Sequence, residues 1–134
     1  ITWQLVAKNP IFSKLDAMHV SEVANLLHHK TVPPNFTIVQ KREPADSMYF
    51  IASGEVAVQA PSGAIRLGSG DFFGEIAILT ASTRTATVVS MTECELLYLL
   101  VDDFDHLLTA DPDLKDILSK TMEERLKQLE HAHS

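Results

Sequence analysis

The chain is short of several things at once, and each shortage narrows what it can do. Its one cysteine, Cys94, rules out an internal disulfide and suits a reducing compartment. In apolar strand surroundings that thiol reads as a small buried hydrophobe, not a redox group. Positive charge is scarce: 11 lysines and arginines face 18 acids, for a formal net charge of −7. This balance argues against a general DNA- or RNA-binding surface, so an anionic ligand would need a local positive site. No apolar run approaches the roughly 18 residues of a membrane span. No signal-peptide pattern opens the chain either, and a soluble domain without direct membrane contact is expected. The six histidines, His19, His28, His29, His106, His131 and His133, fall outside the region that reads as strands. A cupin-type metalloenzyme would want histidines on its strands, so no metal is expected. Nor is there a nucleophile, base and orienter in an arrangement fit for acyl transfer, and no residue is assigned a catalytic role.

What is present reads as a single domain, residues 1–134. Hydrophobic residues make up 46% of the chain and charged residues 22%, enough apolar material for a folded core and too little charge for disorder. Residues 1–32 read as N-terminal helices, with Val20, Val23, Ala24 and Leu27 at three- and four-residue spacings until Pro33 and Pro34 stop the pattern. Residues 33–100 have the texture of strands, at 37–39, 48–51, 55–59, 65–67, 85–91 and 95–100, punctuated by Gly54, Gly63, Gly68 and Gly70. Many short strands with glycine turns predict a barrel or roll instead of a parallel sheet with crossovers. Residues 101–134 return to helix. A short helix covers 102–109, and Asp111 followed by Pro112 predicts an N-cap with proline at the first helical position. Leu114, Ile117, Leu118, Met122, Leu126 and Leu129 then form an apolar stripe along a last, long helix.

The densest chemistry lies in residues 70–88, where Glu75 and Arg84 suggest the two ends of one small ligand. Gly74 lets the chain turn without a Cβ in the way, and residues 75–79 can form one short helical turn whose N–H groups point at an anion. Arg84 supplies a planar fork able to hold two phosphate oxygens, which lysine cannot imitate. The Glu75 carboxylate only accepts hydrogen bonds, so beside an anion it fits a hydroxyl donor such as a ribose 2′-OH. Phosphate on one side and ribose on the other describe a nucleotide. Thr85 offers a hydroxyl that can donate to phosphate or to a guanine edge, or it serves as an ordinary strand residue.

Phe73-Gly74-Glu75-Ile76-Ala77-Ile78-Leu79, followed by Arg84-Thr85-Ala86-Thr87-Val88, resembles the phosphate-binding cassette of cyclic-nucleotide-binding domains. Glu43-Pro44-Ala45-Asp46-Ser47-Met48-Tyr49-Phe50-Ile51 with Gly54-Glu55-Val56 is similar to the strand-turn-strand signature of that family. Trp3 to Ala7, Pro10-Ile11-Phe12 and Lys14-Leu15 resemble the helical lead-in of this domain in bacterial cyclic-nucleotide-gated potassium channels. Two positions depart from the pattern: Arg42 stands where the family commonly has glycine, and Ala81-Ser82-Thr83 replaces the glycine and proline often found before the arginine.

The resemblance implies an α+β fold: an antiparallel, eight-stranded, jelly-roll-like β-roll flanked by N-terminal helices and two C-terminal helices, the last a lid. It implies that residues 73–88 form the cassette, with Phe73, Gly74, Glu75, Ile76, Ala77, Arg84 and Thr85 on the ligand. Val58 and Ile65 stand near the base or, equally, in the core, and Arg125 is either a lid arginine reaching the base or a solvated helical charge. The implied ligand is cyclic AMP or cyclic GMP, with no cofactor. The implied setting is the cytoplasmic domain of an inner- or plasma-membrane potassium channel, a homotetramer, whose ligand-gated opening follows movement of the last helix. The rival readings are the sensory half of a catabolite-activator-like transcription factor, a regulatory module of a cyclic-nucleotide-dependent kinase and, more remotely, the cupin-type metalloenzyme.

Overall fold

The computed structural model describes residues 2–60, 63–80 and 82–133, with side chains described for 3–60, 63–80 and 82–127. Ala81 of the loop before Arg84, and the side chains of Leu129, His131 and His133, lie outside the described residues. The chain divides into two compact units, one built from Ile1–Leu26 with Asp102–Ser134 and the other from Leu27–Val101.

The second unit is the roll. Its strands are β1 (His28–Val32), β2 (Thr37–Val39), β3 (Ser47–Ser53), β4 (Val56–Ala60), β5 (Gly63–Leu67), β6 (Phe72–Phe73), β7 (Thr87–Ser90) and β8 (Cys94–Leu100). They form two four-stranded sheets, in the orders β1-β8-β3-β6 and β2-β7-β4-β5. Every pairing is antiparallel. The expected β-roll of eight strands is therefore present, with helices before and after it in sequence.

The apolar residues of both sheets make one core: Val32, Ile38, Val39, Tyr49, Ile51, Val56, Phe73, Val88, Cys94 and Leu96. The central strand β3 is buried from Ser47 to Ile51, which is why its sequence reads as a near-continuous apolar run and not as an alternation. Cys94 sits in this core, its thiol 3.3 Å from the carbonyl oxygens of Glu55 and Thr92, as a small buried hydrophobe would. The β3–β4 turn depends on Gly54, whose φ is +95° and where an added Cβ would lie 2.5 Å from the Glu93 carbonyl oxygen.

Three boundaries differ from the sequence reading. Residues 28–32, expected within the N-terminal helices, form β1, paired with β8 from His28 opposite Tyr98 to Val32 opposite Cys94. His28 and Tyr98 stack at 5.1 Å. Only Val32 of β1 is buried, so this edge strand has no apolar alternation to betray it, while Leu26 and Leu27 prolong the helical period just before it. As a consequence, His28 and His29 do lie on a strand, both exposed, and the expectation that histidines avoid the roll is corrected. The strand expected over 85–91 begins only at Thr87, because the backbone of Arg84 pairs with the segment before β3. The two-residue β6, Phe72–Phe73, is too short to show as a period.

The helical unit comprises α1 (Thr2–Lys8), α2 (Ala17–Ala24), α4 (Val101–Ala110, whose first residue closes the roll) and α5 (Pro112–His133); α3 (Ile76–Thr80) belongs to the roll. Asp16 caps α2, its Oδ1 accepting the His19 backbone N–H at 2.9 Å. Asp111 caps α5 as expected, its Oδ1 accepting the Leu114 N–H at 3.1 Å ahead of Pro112. Phe12 and Phe104 meet edge to face at 5.9 Å among the buried residues of this unit. On α5, Leu114 and Leu118 are fully buried, Met122 and Leu126 half-buried, and Ile117 exposed.

Candidate functional site

The site is built where the roll departs from regular strand. After β6, Gly74 takes φ +79°, a left-handed conformation that a side chain resists, and the chain turns into α3. The Ala77 N–H donates to the Gly74 carbonyl at 3.2 Å and the Ile78 N–H to the Glu75 carbonyl at 3.0 Å. This arm edges a cavity of about 190 Å3, lined here by Phe72, Phe73, Gly74, Glu75, Ile76 and Ala77.

The opposite arm carries Arg84, and it is pinned by backbone. Arg42 N–H donates to Arg84 O (2.9 Å), Arg84 N–H to Glu43 O (2.8 Å) and Ala45 N–H to Ser82 O (3.1 Å), with Pro44 bridged to Thr83. This zipper requires Arg42 to adopt φ +79°. Arginine thus takes a left-handed conformation at the position where glycine is common in the resembled family, with the strain carried by an exposed residue.

The Arg84 side chain is only 7% exposed. Its Nη1 donates to the Ser47 carbonyl at 2.8 Å, its Nη2 to Ser47 Oγ at 3.2 Å, and Nη2 lies 3.6 Å from Asp46 Oδ1. The guanidinium also sits over the Tyr49 ring at 5.9 Å, and Tyr49 stacks on Phe73 at 5.0 Å. Burial pulls the Arg84 guanidinium below its ordinary range, with Tyr49, Asp46 and Glu43 opposing that pull. Asp46 is largely solvent-exposed, so its ion pair is a weak counterweight to a buried cation. An anion in the cavity would supply the missing balance.

The structure brings Phe73, Gly74, Glu75, Ile76, Ala77, Arg84, Thr85 and Val58 onto this one cavity. Ile65 is not among its lining residues. It is the cross-strand partner of Val58, so their Cβ atoms share a sheet face, which Val58 carries into the cavity and Ile65, 52% exposed, into solvent. Arg125 lies on α5, half-buried, in the helical unit. Sequence reasoning missed Val39, Ala45, Phe72, Thr83, Ala86 and Val88 as lining residues. Ala86 and Val88 carry a signal after the fact, since residues two apart share one side of an extended chain. Ser47, the main holder of the guanidinium, lies 37 residues from Arg84 and had none.

A roll of two antiparallel sheets carries a short helix and a buried arginine on opposite arms of one small cavity. The chain belongs to the cyclic nucleotide-binding domain family, whose sequence model matches residues 29–111. It is 40% identical over 123 residues to a cyclic nucleotide-gated potassium channel of Rhizobium etli, covering 92% of this chain and 35% of that protein. It is 33% identical over 126 residues to the potassium/sodium hyperpolarization-activated cyclic nucleotide-gated channel 3 of Mus musculus, covering 93% of this chain and 16% of that one. Among solved structures, the N-terminal domain of a transcriptional regulator from Streptomyces coelicolor A3(2) superposes with a TM-score of 0.83 at 25% identity, covering 97% of this chain and 95% of that one. The chain spans about a third of the length of the bacterial channels it matches, from 31% to 35%. Among the described residues, no helix is long and apolar enough to cross a membrane.

Proposed function

We propose that this chain is the cytoplasmic sensor domain of a cyclic-nucleotide-gated potassium channel, binding cyclic AMP or cyclic GMP in the cavity between Gly74 and Arg84. The observation that carries the reading is the Arg84 guanidinium, buried beside a weak counter-ion and lining one cavity with the Gly74 turn. In this scheme Arg84 and the N–H groups of Glu75 and Ile76 hold the cyclic phosphate, and the Glu75 carboxylate accepts the ribose 2′-OH. A cavity of about 190 Å3 seats phosphate and sugar, while the base extends along the face shared by Val58 and Ile65. Thr85 adds a hydroxyl to phosphate or to a guanine edge, and Arg125 meets the base from α5.

The domain binds without reacting. The groups this scheme sets on the phosphate, a guanidinium and backbone amides, hold charge without acting as base or nucleophile. Its output is a population shift: the nucleotide favours one placement of α5 by no more than its difference in affinity for the two states, and that difference biases a tetrameric pore. A second reading has one observation in its favour, the likeness over nearly the whole chain to the regulator domain from Streptomyces coelicolor. In that reading the same roll would feed a DNA-binding region.

Thermal unfolding with cyclic AMP, cyclic GMP and their 2′-deoxy analogues tests the site. Saturating cyclic AMP or cyclic GMP is expected to raise the midpoint by several degrees, about 2.7 kcal/mol of stabilisation at a hundredfold excess over Kd. Glu75→Gln and the 2′-deoxy ligand should each reduce the effect. Equal stabilisation by deoxy and parent nucleotides would remove Glu75 from its assigned role.

A further inference from the structure

In the helical unit, three metal-ligating side chains come together at one point. His19 and Glu22 stand three residues apart on α2 and so share a face of that helix. Asp111 joins them from the α4–α5 junction, and one donor atom from each residue lies within 4.8 Å of the other two. None of the three lines the nucleotide cavity.

The side chains here are under-satisfied. His19 is only 7% exposed, with Nδ1 2.9 Å from Asp16 Oδ1 and Nε2 3.4 Å from Asp111 Oδ2. Asp16 Oδ1 already accepts the His19 backbone N–H, and Nδ1 makes no well-aligned hydrogen bond despite that short contact. Glu22 Oε2 is also buried without a hydrogen bond. Buried polar atoms are nearly always satisfied, and an imidazole beside two carboxylates is a set of donors that a cation would complete. Asp111 Oδ1 caps Leu114 while Oδ2 faces His19, and its carboxyl shares a hydrogen bond with that of Glu22, so the two acids already face one point.

We propose that His19, Glu22 and Asp111 bind a divalent transition-metal cation of the zinc class, tying α2 to the start of α5. One imidazole with two carboxylates suits zinc and its neighbours, whereas magnesium and calcium favour all-oxygen sites. Bonds of about 2.0–2.2 Å require the donors to close by roughly 1 Å, within reach of a rotamer change at half-buried Glu22. Asp16, at the far nitrogen of the imidazole, would hold the ring in place as carboxylates do behind metal-bound histidines. The cation would anchor the first turn of the helix that the proposed function sets in motion, yet the site stands on its own geometry and its test needs no nucleotide.

The experiment is a zinc chloride titration of chelator-treated protein, followed by calorimetry and thermal unfolding. It is done in a His131→Ala/His133→Ala background to remove the terminal histidines as competing ligands. One equivalent of zinc should bind and raise the midpoint by roughly 5–10 °C, with no comparable rise from magnesium or calcium. Glu22→Gln and His19→Gln should each weaken zinc binding at least about tenfold. Two variants are used so that a folding failure in one leaves the other decisive, with circular dichroism reporting the fold. No zinc-dependent rise in the background protein, a rise matched by magnesium, or undiminished zinc affinity in a folded variant would overturn the proposal.

Discussion

Gly74→Ala probes the hinge of the site with the least chemistry added. Two costs can be separated from the geometry. The first is backbone: alanine at φ +79° takes on the left-handed penalty, about 1–2 kcal/mol. The second is steric: the new Cβ would lie 2.7 Å from Arg84 Nη1 and 3.2 Å from the Ser47 carbonyl oxygen. The guanidinium must therefore shift, loosening its 2.8 Å bond to that carbonyl, a charge-assisted hydrogen bond worth about 1.5–3 kcal/mol. Together, less the roughly 0.4–1 kcal/mol by which alanine restricts the unfolded chain, these predict a loss of about 2–4 kcal/mol of folding stability. Gly70→Ala is the internal control, because Gly70 also has positive φ, +92°, but nothing lies within 4 Å of an added Cβ. It should lose only the backbone part, about 0.5–1 kcal/mol once the reduced freedom of alanine in the unfolded chain is set against the left-handed penalty. Urea unfolding of both variants and the parent, monitored by circular dichroism, gives the difference directly. Equal losses in the two variants would refute the claim that Gly74 is required by its closeness to Arg84.

Two further outcomes follow from particular residues. Arg42→Gly should stabilise the chain by roughly 0.5–1 kcal/mol in urea unfolding, since relief of about 1–2 kcal/mol at φ +79° exceeds the added freedom of glycine in the unfolded state. A clear loss of stability would mean that the exposed Arg42 side chain makes a contribution the backbone argument omits. Deleting the residues after Thr121 keeps Leu114 and Leu118, the buried part of α5, and removes Arg125. The strand signal in circular dichroism should persist while nucleotide affinity falls, and unchanged affinity would end the proposal that α5 responds to the ligand.

Much of the cavity lining was legible because its residues are local: a glycine turn, an acid and an arginine nine residues apart in one short stretch. The Asp111 cap was legible for the same reason, since a cap is decided within one turn of helix. What escaped the sequence was set by partners far along the chain. β1 carries a polar edge sequence and becomes a strand only through β8. Thr85, although good strand material, stays out of β7 with Ala86, where Arg42 and Glu43 engage the backbone of Arg84 just before them. Ser47 falls just before the strand expected at 48–51, and only the folded roll makes it the seat of the guanidinium.

The central claim, that Arg84 holds the phosphate of a cyclic nucleotide, is tested most directly by calorimetric titration of cyclic AMP and cyclic GMP into the intact chain and into Arg84→Ala. Saturable binding of one equivalent of nucleotide to the parent is predicted, with a loss of about 2–5 kcal/mol in affinity on removing the cation from a buried anion, roughly 30-fold or more. Affinity unchanged in a folded Arg84→Ala protein would contradict the account.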